Sequence, residues 1–232
     1  MHSSPAPTPF LADAPWPAIP ERLTLLIPVG STEQHGPHLP LDTDTVIAVA
    51  VAEGVARRSG SDVRVAPAIA YGSSGEHQAF AGTVSIGTEA LTQVLIEVGR
   101  SARQWAARLV FVNGHGGNVD ALTTAVHVLR EEGTDASWQP CRHGDAHAGR
   151  GETSLLLHLA PHRVAMERAE PGNVEPVGDL LPRLREHGLR PLAPNGVLGD
   201  PRGASAAEGA TLLDRMADEL AAALRAPAQG HP

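Results

Sequence analysis

Short apolar runs alternate with longer segments of helical periodicity along this chain. The runs, of which the first reads LTLLIPV, cover residues 23–29, 63–69, 109–112 and 137–141. Runs of this length are typical of strands buried on both faces of a parallel sheet, although periodicity alone does not distinguish them from buried helices. We interpret them as four buried strands.

The segments between the runs carry apolar residues at helical spacing. The clearest is residues 88–107, where Leu91, Leu95, Val98 and Trp105 recur on one face. A second helix is predicted at residues 45–58, with Asp42, Thr43 or Asp44 at its cap. Further helices are predicted at residues 119–132, 153–160, 178–187 and 206–224.

Alternating strands and helices predict a mainly parallel sheet with helices on both faces. We therefore expect a single-domain, three-layer α/β/α fold over residues 23–226. Residues 1–22 are Pro-rich and aperiodic, which predicts an N-terminal arm on the surface or on a neighbouring subunit, and residues 227–232 form a C-terminal tail.

Composition narrows the function classes. The 18 basic residues are all arginine and are scattered, and the net charge is −8, so a nucleic-acid or anionic-membrane surface is not expected. There is no apolar run of the roughly 20 residues that span a membrane, and the N-terminus does not read as a signal peptide, so we expect a cytoplasmic protein. Cys141 is the single cysteine, which predicts a buried small side chain and leaves nitrogen and oxygen as ligands for any metal.

Residues 30–44, GSTEQHGPHLPLDTD, hold the densest polar cluster and directly follow the first strand. Glu33, His35, His38, Asp42 and Asp44 lie within fifteen residues. Such groups are costly to desolvate unless they are paired or bind a cation. In extended chain the side chains of Glu33 and His35 share one side, and Asp44 could join them from the next helix. Carboxylate and imidazole together suit Zn, Mn or Fe, although solvated loop charges and helix caps are the structural alternative.

Two other predicted strands also lead into ligand-type residues. His115 lies in NGHGGN, and His147 and Glu152 lie in DAHAGRGETS. In parallel sheets ligands bind beyond the carboxyl ends of strands, which favours one composite site. His147 could serve as a general acid or base. Taken singly, Glu152 is an ordinary acidic residue at a helix N-terminus, and NGHGGN could be a phosphate-binding nest, although no GK[ST] follows it.

No side chain competes with a metal for the role of nucleophile. GSSG at residues 72–75 does not fit GxSxG, and Cys141 lies in a predicted strand. Hydrolysis by metal-activated water is therefore the chemistry that the residues favour.

Four segments in order, GSTEQHGPHLPLDTD, YGSSGEHQAFAGTVS, NGHGGN and HAGRGETS, resemble the signatures of the creatininase family, whose members are dinuclear metal amidohydrolases. The resemblance implies an oligomer and two divalent metal ions, Zn, Fe or Mn. It implies that Asp44 bridges the two ions and that His147 transfers a proton. The remaining implied ligands are Glu33, His35, His115 and Glu152.

One departure bears on the substrate. Creatinine-hydrolysing members carry Glu two residues after the NGH histidine, where this chain has Gly117, so we assign that role to Glu152. Trp138 alone stands where those enzymes build an aromatic cage. LADAPWP and PNGVLGDPRGASAAEG are most similar to members that release a modified C-terminal Val-Tyr dipeptide from a modified precursor peptide. The alternatives are an amidohydrolase acting on a small cyclic amide or formamide, and a non-catalytic metal-binding scaffold.

Overall fold

Four parallel strands form the centre of the fold in the computed structural model, which describes residues 8–144 and 146–225. Their order across the sheet is β2-β1-β3-β4. The central pair is in register from Thr24 opposite Arg108 to Val29 opposite Asn113. The bounds are β1 Thr24–Val29, β2 Val63–Val65, β3 Arg108–Asn113 and β4 Ala136–Pro140.

Helices cover both faces of this sheet, which confirms the predicted three-layer α/β/α fold. Leu25 and Ile27 of β1 face α2 and α3, whereas Leu26 between them faces α1, α4 and α6. Because successive side chains of a strand point to opposite faces of the sheet, consecutive apolar residues of β1 contribute to two separate cores. The helices are α1 Thr43–Ser59, α2 Gly87–Ala102, α3 Val119–Glu131, α4 Arg150–Leu159, α5 Val177–His187 and α6 Ala206–Arg225.

Three predicted boundaries are wrong by three or more residues. Strand β2 ends at Val65 rather than residue 69, because Pro67 has no N–H for the ladder. Helix α2 ends at Ala102, so the predicted face does not reach Trp105; the chain turns there so that the N–H of Ala107 can pair with Leu23. Helix α4 begins at Arg150 rather than residue 153, which brings Glu152 inside its first turn.

The predicted arm packs on its own chain where it is described. Phe10 pairs with Val65 at the edge of the sheet and packs against the α1, α4 and α6 core. Residues 1–7 of the arm and 227–232 of the tail lie outside the described residues, so the proposed domain boundaries stay a prediction. Within the described part of the chain, no helix combines the length and apolar character that crossing a bilayer requires.

The loops that follow β1 and β3 approach each other closely at the carboxyl end of the sheet. A Cβ at Gly114 would collide with the carbonyl oxygen of Asp44, so only glycine allows the loop after β3 to lie against the start of α1. This contact places His115 next to Asp44. A Cβ at Gly116, two residues later, would meet no atom within 4 Å.

Gly114→Ala is expected to lower the free energy of unfolding by about 1–3 kcal/mol, because the loop must move away from Asp44. Gly116→Ala is the matched control and should change it by less than about 0.5 kcal/mol. Urea denaturation of the two variants measures both values. Equal stability of the two variants would show that the Gly114 contact does not constrain the loops.

Candidate metal centre

Glu33 lies at the centre of a buried cluster at the carboxyl end of the sheet. Its side chain is fully buried, four residues after the end of β1. Its Oε1 lies 3.2 Å from Nδ1 of His115, 3.3 Å from Nε2 of His77 and 3.6 Å from Nδ1 of His147. One carboxylate oxygen is thus surrounded by three imidazoles that come from three different loops.

Asp44 joins the two halves of the cluster. It lies in the first turn of α1, and its Oδ1 is 3.1 Å from Nε2 of His35. Its Oδ2 is 3.5 Å from Nδ1 of His115. Asp44 thus directs one carboxylate oxygen toward each of two imidazoles that come from different loops.

Glu152 closes the side of the cluster next to His35. Its Oε2 lies 3.9 Å from Nε2 of His35, and its Oε1 lies 3.4 Å from Nε2 of His143. The backbone N–H of Ala148 donates to Oε2, so the carboxylate is held in place by the loop before α4. The first turn of a helix also favours a negative charge at this position.

Backbone carbonyls orient the two imidazoles that face Asp44. His35 donates from Nδ1 to the carbonyl of Glu33 at 3.1 Å, and His115 donates from Nε2 to the carbonyl of Ser73 at 3.1 Å. In the neutral rings the lone pairs of His35 Nε2 and His115 Nδ1 therefore face the carboxylates. Metal-binding histidines are held in this way by a partner on the opposite ring nitrogen.

Burial and charge act against each other in this cluster. Burial lowers the pKa of His35 and of His115, but the carboxylates facing them outweigh it and raise both pKa values to about 10. Burial would raise the pKa of Glu33, yet His115 and His77 hold it well below its usual range. The pKa of Glu152 is raised, first by burial. Without a cation, protons on His35 and His115 compensate the negative charge.

The residues present fit a bound cation. Both oxygens of Glu33 and Oδ2 of Asp44 are buried, and none accepts a well-aligned hydrogen bond. Buried acceptors of this kind are costly unless a cation or proton satisfies them. Glu33, His35 and Asp44 offer ligand atoms that all lie within 4.8 Å of one another, as do His35, His147 and Glu152.

Comparison with known proteins identifies the family. The family sequence model described as creatininase, creatinine amidohydrolase, matches residues 12–224 of this chain. The chain belongs to the creatininase family. Membership in the creatininase family places this chain among metal-dependent amidohydrolases.

Individual relatives agree with this assignment. The mycofactocin precursor peptide peptidase of Mycobacterium tuberculosis is 59% identical over 206 residues, which cover 84% of this chain and 82% of that protein. The creatinine amidohydrolase of Pseudomonas putida is 31% identical, over 87% of this chain and 88% of that protein. A solved structure described as creatininase Mn is 27% identical, with a TM-score of 0.78. The match covers 94% of this chain and 98% of that chain.

The structure brings all six predicted site residues of this creatininase-family chain into one cluster. They are Glu33, His35, Asp44, His115, His147 and Glu152. Their individual roles stay a prediction. Four other histidines are exposed and are not part of the cluster; they are His127, His158, His162 and His187. His38 is buried and contacts Thr153 at 2.9 Å, and Cys141 is buried as predicted, with the pKa of its thiol raised to about 12 by burial and by Asp44.

Four residues of the cluster were not predicted from the sequence: Gln34, Glu76, His77 and His143. Glu76 and His77 lie in the long segment after β2, which reads only as a loop. Their adjacent placement in GSSGEHQAF was the available signal, because Glu33 and His35 are also a glutamate and a histidine close together after a strand. His143 precedes α4 in a loop with several polar residues, and nothing in its spacing distinguishes it.

The position of Gly117 explains the departure from the creatinine-hydrolysing members. A Cβ there would collide with the carbonyl of Ser73 and with Nε2 of His115, and would lie 3.0 Å from Oε1 of Glu76. This loop therefore has no room for a side chain at residue 117. The carboxylate of Glu76 lies beside that space, 3.6 Å from Nε2 of His115, and is partly exposed.

Cation affinity should rise with pH. In the cation-free protein His35 and His115 keep their protons up to a pH of about 10, and a cation requires the lone pairs that those protons occupy. Between about pH 6.5 and pH 9, zinc affinity is expected to increase by up to about tenfold per pH unit for each proton released. Competition with a chromophoric chelator measures it.

His115→Asn should reduce this pH dependence by about one proton, because asparagine releases none on binding. His127→Asn, which changes an exposed histidine of α3, is the control and should leave the pH dependence unchanged. A zinc affinity that stays constant over this pH range would contradict the assignment of His35 and His115 as ligands.

Proposed function

We propose that this chain is a dinuclear metal-dependent peptidase that releases the modified C-terminal Val-Tyr dipeptide from the mycofactocin precursor peptide. The observation that carries the proposal is the buried cluster of carboxylates and imidazoles with unsatisfied oxygens on Glu33 and Asp44. The substrate is inferred from the 59% identical relative, which acts on that precursor by its name.

The cluster offers two sets of ligands. Glu33, Asp44 and His115 would hold one ion, and His35, Asp44 and Glu152 would hold the other, so that Asp44 is common to both sets. Zn, Fe and Mn all accept this mixture of oxygen and nitrogen. When bound, such ions supply Lewis acidity, which polarises a carbonyl and lowers the pKa of water.

His147 is suited to move the proton that amide hydrolysis requires. Its ring lies between those of His35 and His77, with centroid distances of 4.3 Å and 4.4 Å. Burial, together with these two imidazoles, lowers the pKa of His147 well below its ordinary value, so the ring is neutral at neutral pH. Its Nδ1 faces the cluster and can accept a proton there and return it to the leaving amine.

Two features argue against creatinine as the substrate. Trp138, the single candidate for an aromatic cage, packs against the α2 and α3 core. The loop at Gly117 has no room for the glutamate of the creatinine-hydrolysing members. A peptidase is therefore the better interpretation, with the creatinine-type reaction and the non-catalytic scaffold left as outcomes of the tests. Assembly as a homo-oligomer and location in the cytoplasm stay predictions.

Glu33→Gln is expected to lower kcat/KM by more than about a hundredfold, because even indirect partners of metal ligands contribute 10–100-fold. The substitution removes a charge with little change in volume. Glu131→Gln, at an exposed position near the end of α3, is the matched control and should keep full activity. Undiminished turnover by Glu33→Gln would rule out a catalytic metal at this site.

The substrate is tested by incubating zinc-, iron- and manganese-loaded protein with modified precursor peptide and, separately, with creatinine. Mass spectrometry should show release of the C-terminal dipeptide, and creatinine should remain intact. Turnover of creatinine without cleavage of the peptide would contradict the peptidase proposal. Absence of both activities at full metal occupancy would favour the scaffold.

A further inference from the structure

Gln34 lies between two predicted ligands but belongs to neither ligand set. It is 6% exposed. Its Oε1 accepts a hydrogen bond of 2.9 Å from the backbone N–H of Gly36. A backbone N–H only donates, so this contact defines which end of the side-chain amide is oxygen and turns the amide nitrogen toward the histidines.

The amide nitrogen of Gln34 has three neighbours for two hydrogens. The carbonyl of Gly196 lies at 3.1 Å, Nδ1 of His77 at 2.9 Å and Nε2 of His147 at 3.0 Å. The carbonyl of Gly196 can only accept, so it takes one of the two hydrogens. The second hydrogen is left for one of the two imidazoles.

The backbone of Gln34 decides which imidazole receives it. Nε2 of His147 lies 2.8 Å from the carbonyl oxygen of Gln34. Two acceptors would repel each other at this distance, so Nε2 of His147 carries the hydrogen and donates it to the carbonyl. The second amide hydrogen of Gln34 therefore goes to Nδ1 of His77.

We propose that Gln34 is a positioning residue that sets the tautomers of His77 and His147, one through its side chain and the other through its backbone carbonyl. Both neutral rings then carry their hydrogen on Nε2. His77 turns its N–H toward Oε1 of Glu33, 3.3 Å away. His147 instead turns the lone pair of Nδ1 toward the same oxygen, 3.6 Å away.

The consequence is a division of roles between the two histidines that face Oε1 of Glu33, at 3.3 Å and 3.6 Å. His77 directs an N–H toward Glu33 and offers no lone pair to the cluster, whereas His147 keeps a lone pair that can accept a proton. The catalytic part of this consequence rests on the proposed function. The tautomers themselves do not, because they follow from the hydrogen bonds alone.

The turn at residues 195–198 supports Gln34 from the C-terminal part of the chain. Gly196 has a φ of +77°, and a Cβ there would collide with Oε1 of Gln34. Leu198 pairs with His147 through two backbone hydrogen bonds of 2.9 Å and 3.3 Å. The same short turn therefore contacts the side-chain amide of Gln34 and the backbone of His147.

Two-bond ¹⁵N–¹H correlation spectra of the full chain with ¹⁵N-labelled histidine test the proposal. They are recorded without metal and with zinc, and the two rings are assigned by loss of their signals in His77→Asn and His147→Asn. The wild-type protein should show the Nε2–H tautomer for both rings in the metal-free state. The Nδ1–H tautomer on either ring would overturn the proposal, whether or not any variant at residue 34 folds.

Gln34→Glu is the discriminating variant, because a carboxylate cannot donate to His77. A hydrogen should appear on Nδ1 of His77, while His147 keeps its hydrogen on Nε2 because the backbone carbonyl remains. Gln104→Glu makes the same chemical change at an exposed position and should leave both rings unchanged. An unchanged His77 spectrum in folded Gln34→Glu would overturn the proposal.

Kinetics on the modified precursor peptide separate this inference from the proposed function. Gln34→Glu should lower kcat by about 10–100-fold, as for other indirect partners, with KM changed less than about threefold. A rise in KM at unchanged kcat would overturn the positioning role. If the wild-type protein cleaves no peptide, the proposed function fails, whereas the tautomers remain decided by the spectra.

Discussion

The structure depends on compensating three buried carboxylates at the carboxyl end of one small sheet. Glu33, Asp44 and Glu152 are each at most 3% exposed, and no lysine or arginine is paired with any of them in the described part of the chain. Imidazoles take that place, and an imidazole can exchange its proton for a metal ion. The negative charge of the cluster is therefore compensated only when protons or cations are bound, and the surrounding loops can accommodate either.

The fold and the central site residues could be predicted because their signals are local. Strand β1 and the polar segment after it are adjacent in the sequence, and parallel pairing brings the ends of β1, β3 and β4 together. The predicted boundaries were wrong where a single residue, such as Pro67, or a pairing with a distant residue, as at the end of α2, determines where the element ends. Gln34 and His77 were missed because their roles arise from contacts with residues 43 and more positions away, which no spacing pattern records.

The histidines of the cluster differ in which ring nitrogen carries the hydrogen and in which group each nitrogen faces. His35 and His115 each donate to a carbonyl and face Asp44 with the opposite nitrogen, whereas His77 accepts from an amide and faces Glu33 with an N–H. The difference is made by neutral groups of the backbone and of Gln34. Such groups keep their hydrogen-bonding character at every pH of interest, so they direct the imidazoles without adding charge to an already crowded cluster.

The close approach of Gly114 to Asp44 also bears on how the protein is made. Glu33 and Asp44 leave the ribosome about eighty and about seventy residues before His115, and Gln34 leaves about 160 residues before Gly196. A chain synthesised only as far as residue 114 thus carries Glu33, His35 and Asp44 without His115, His147 and Glu152. The full set of predicted ligands therefore exists only once Glu152 has been synthesised, and a shorter nascent chain offers a cation fewer of them.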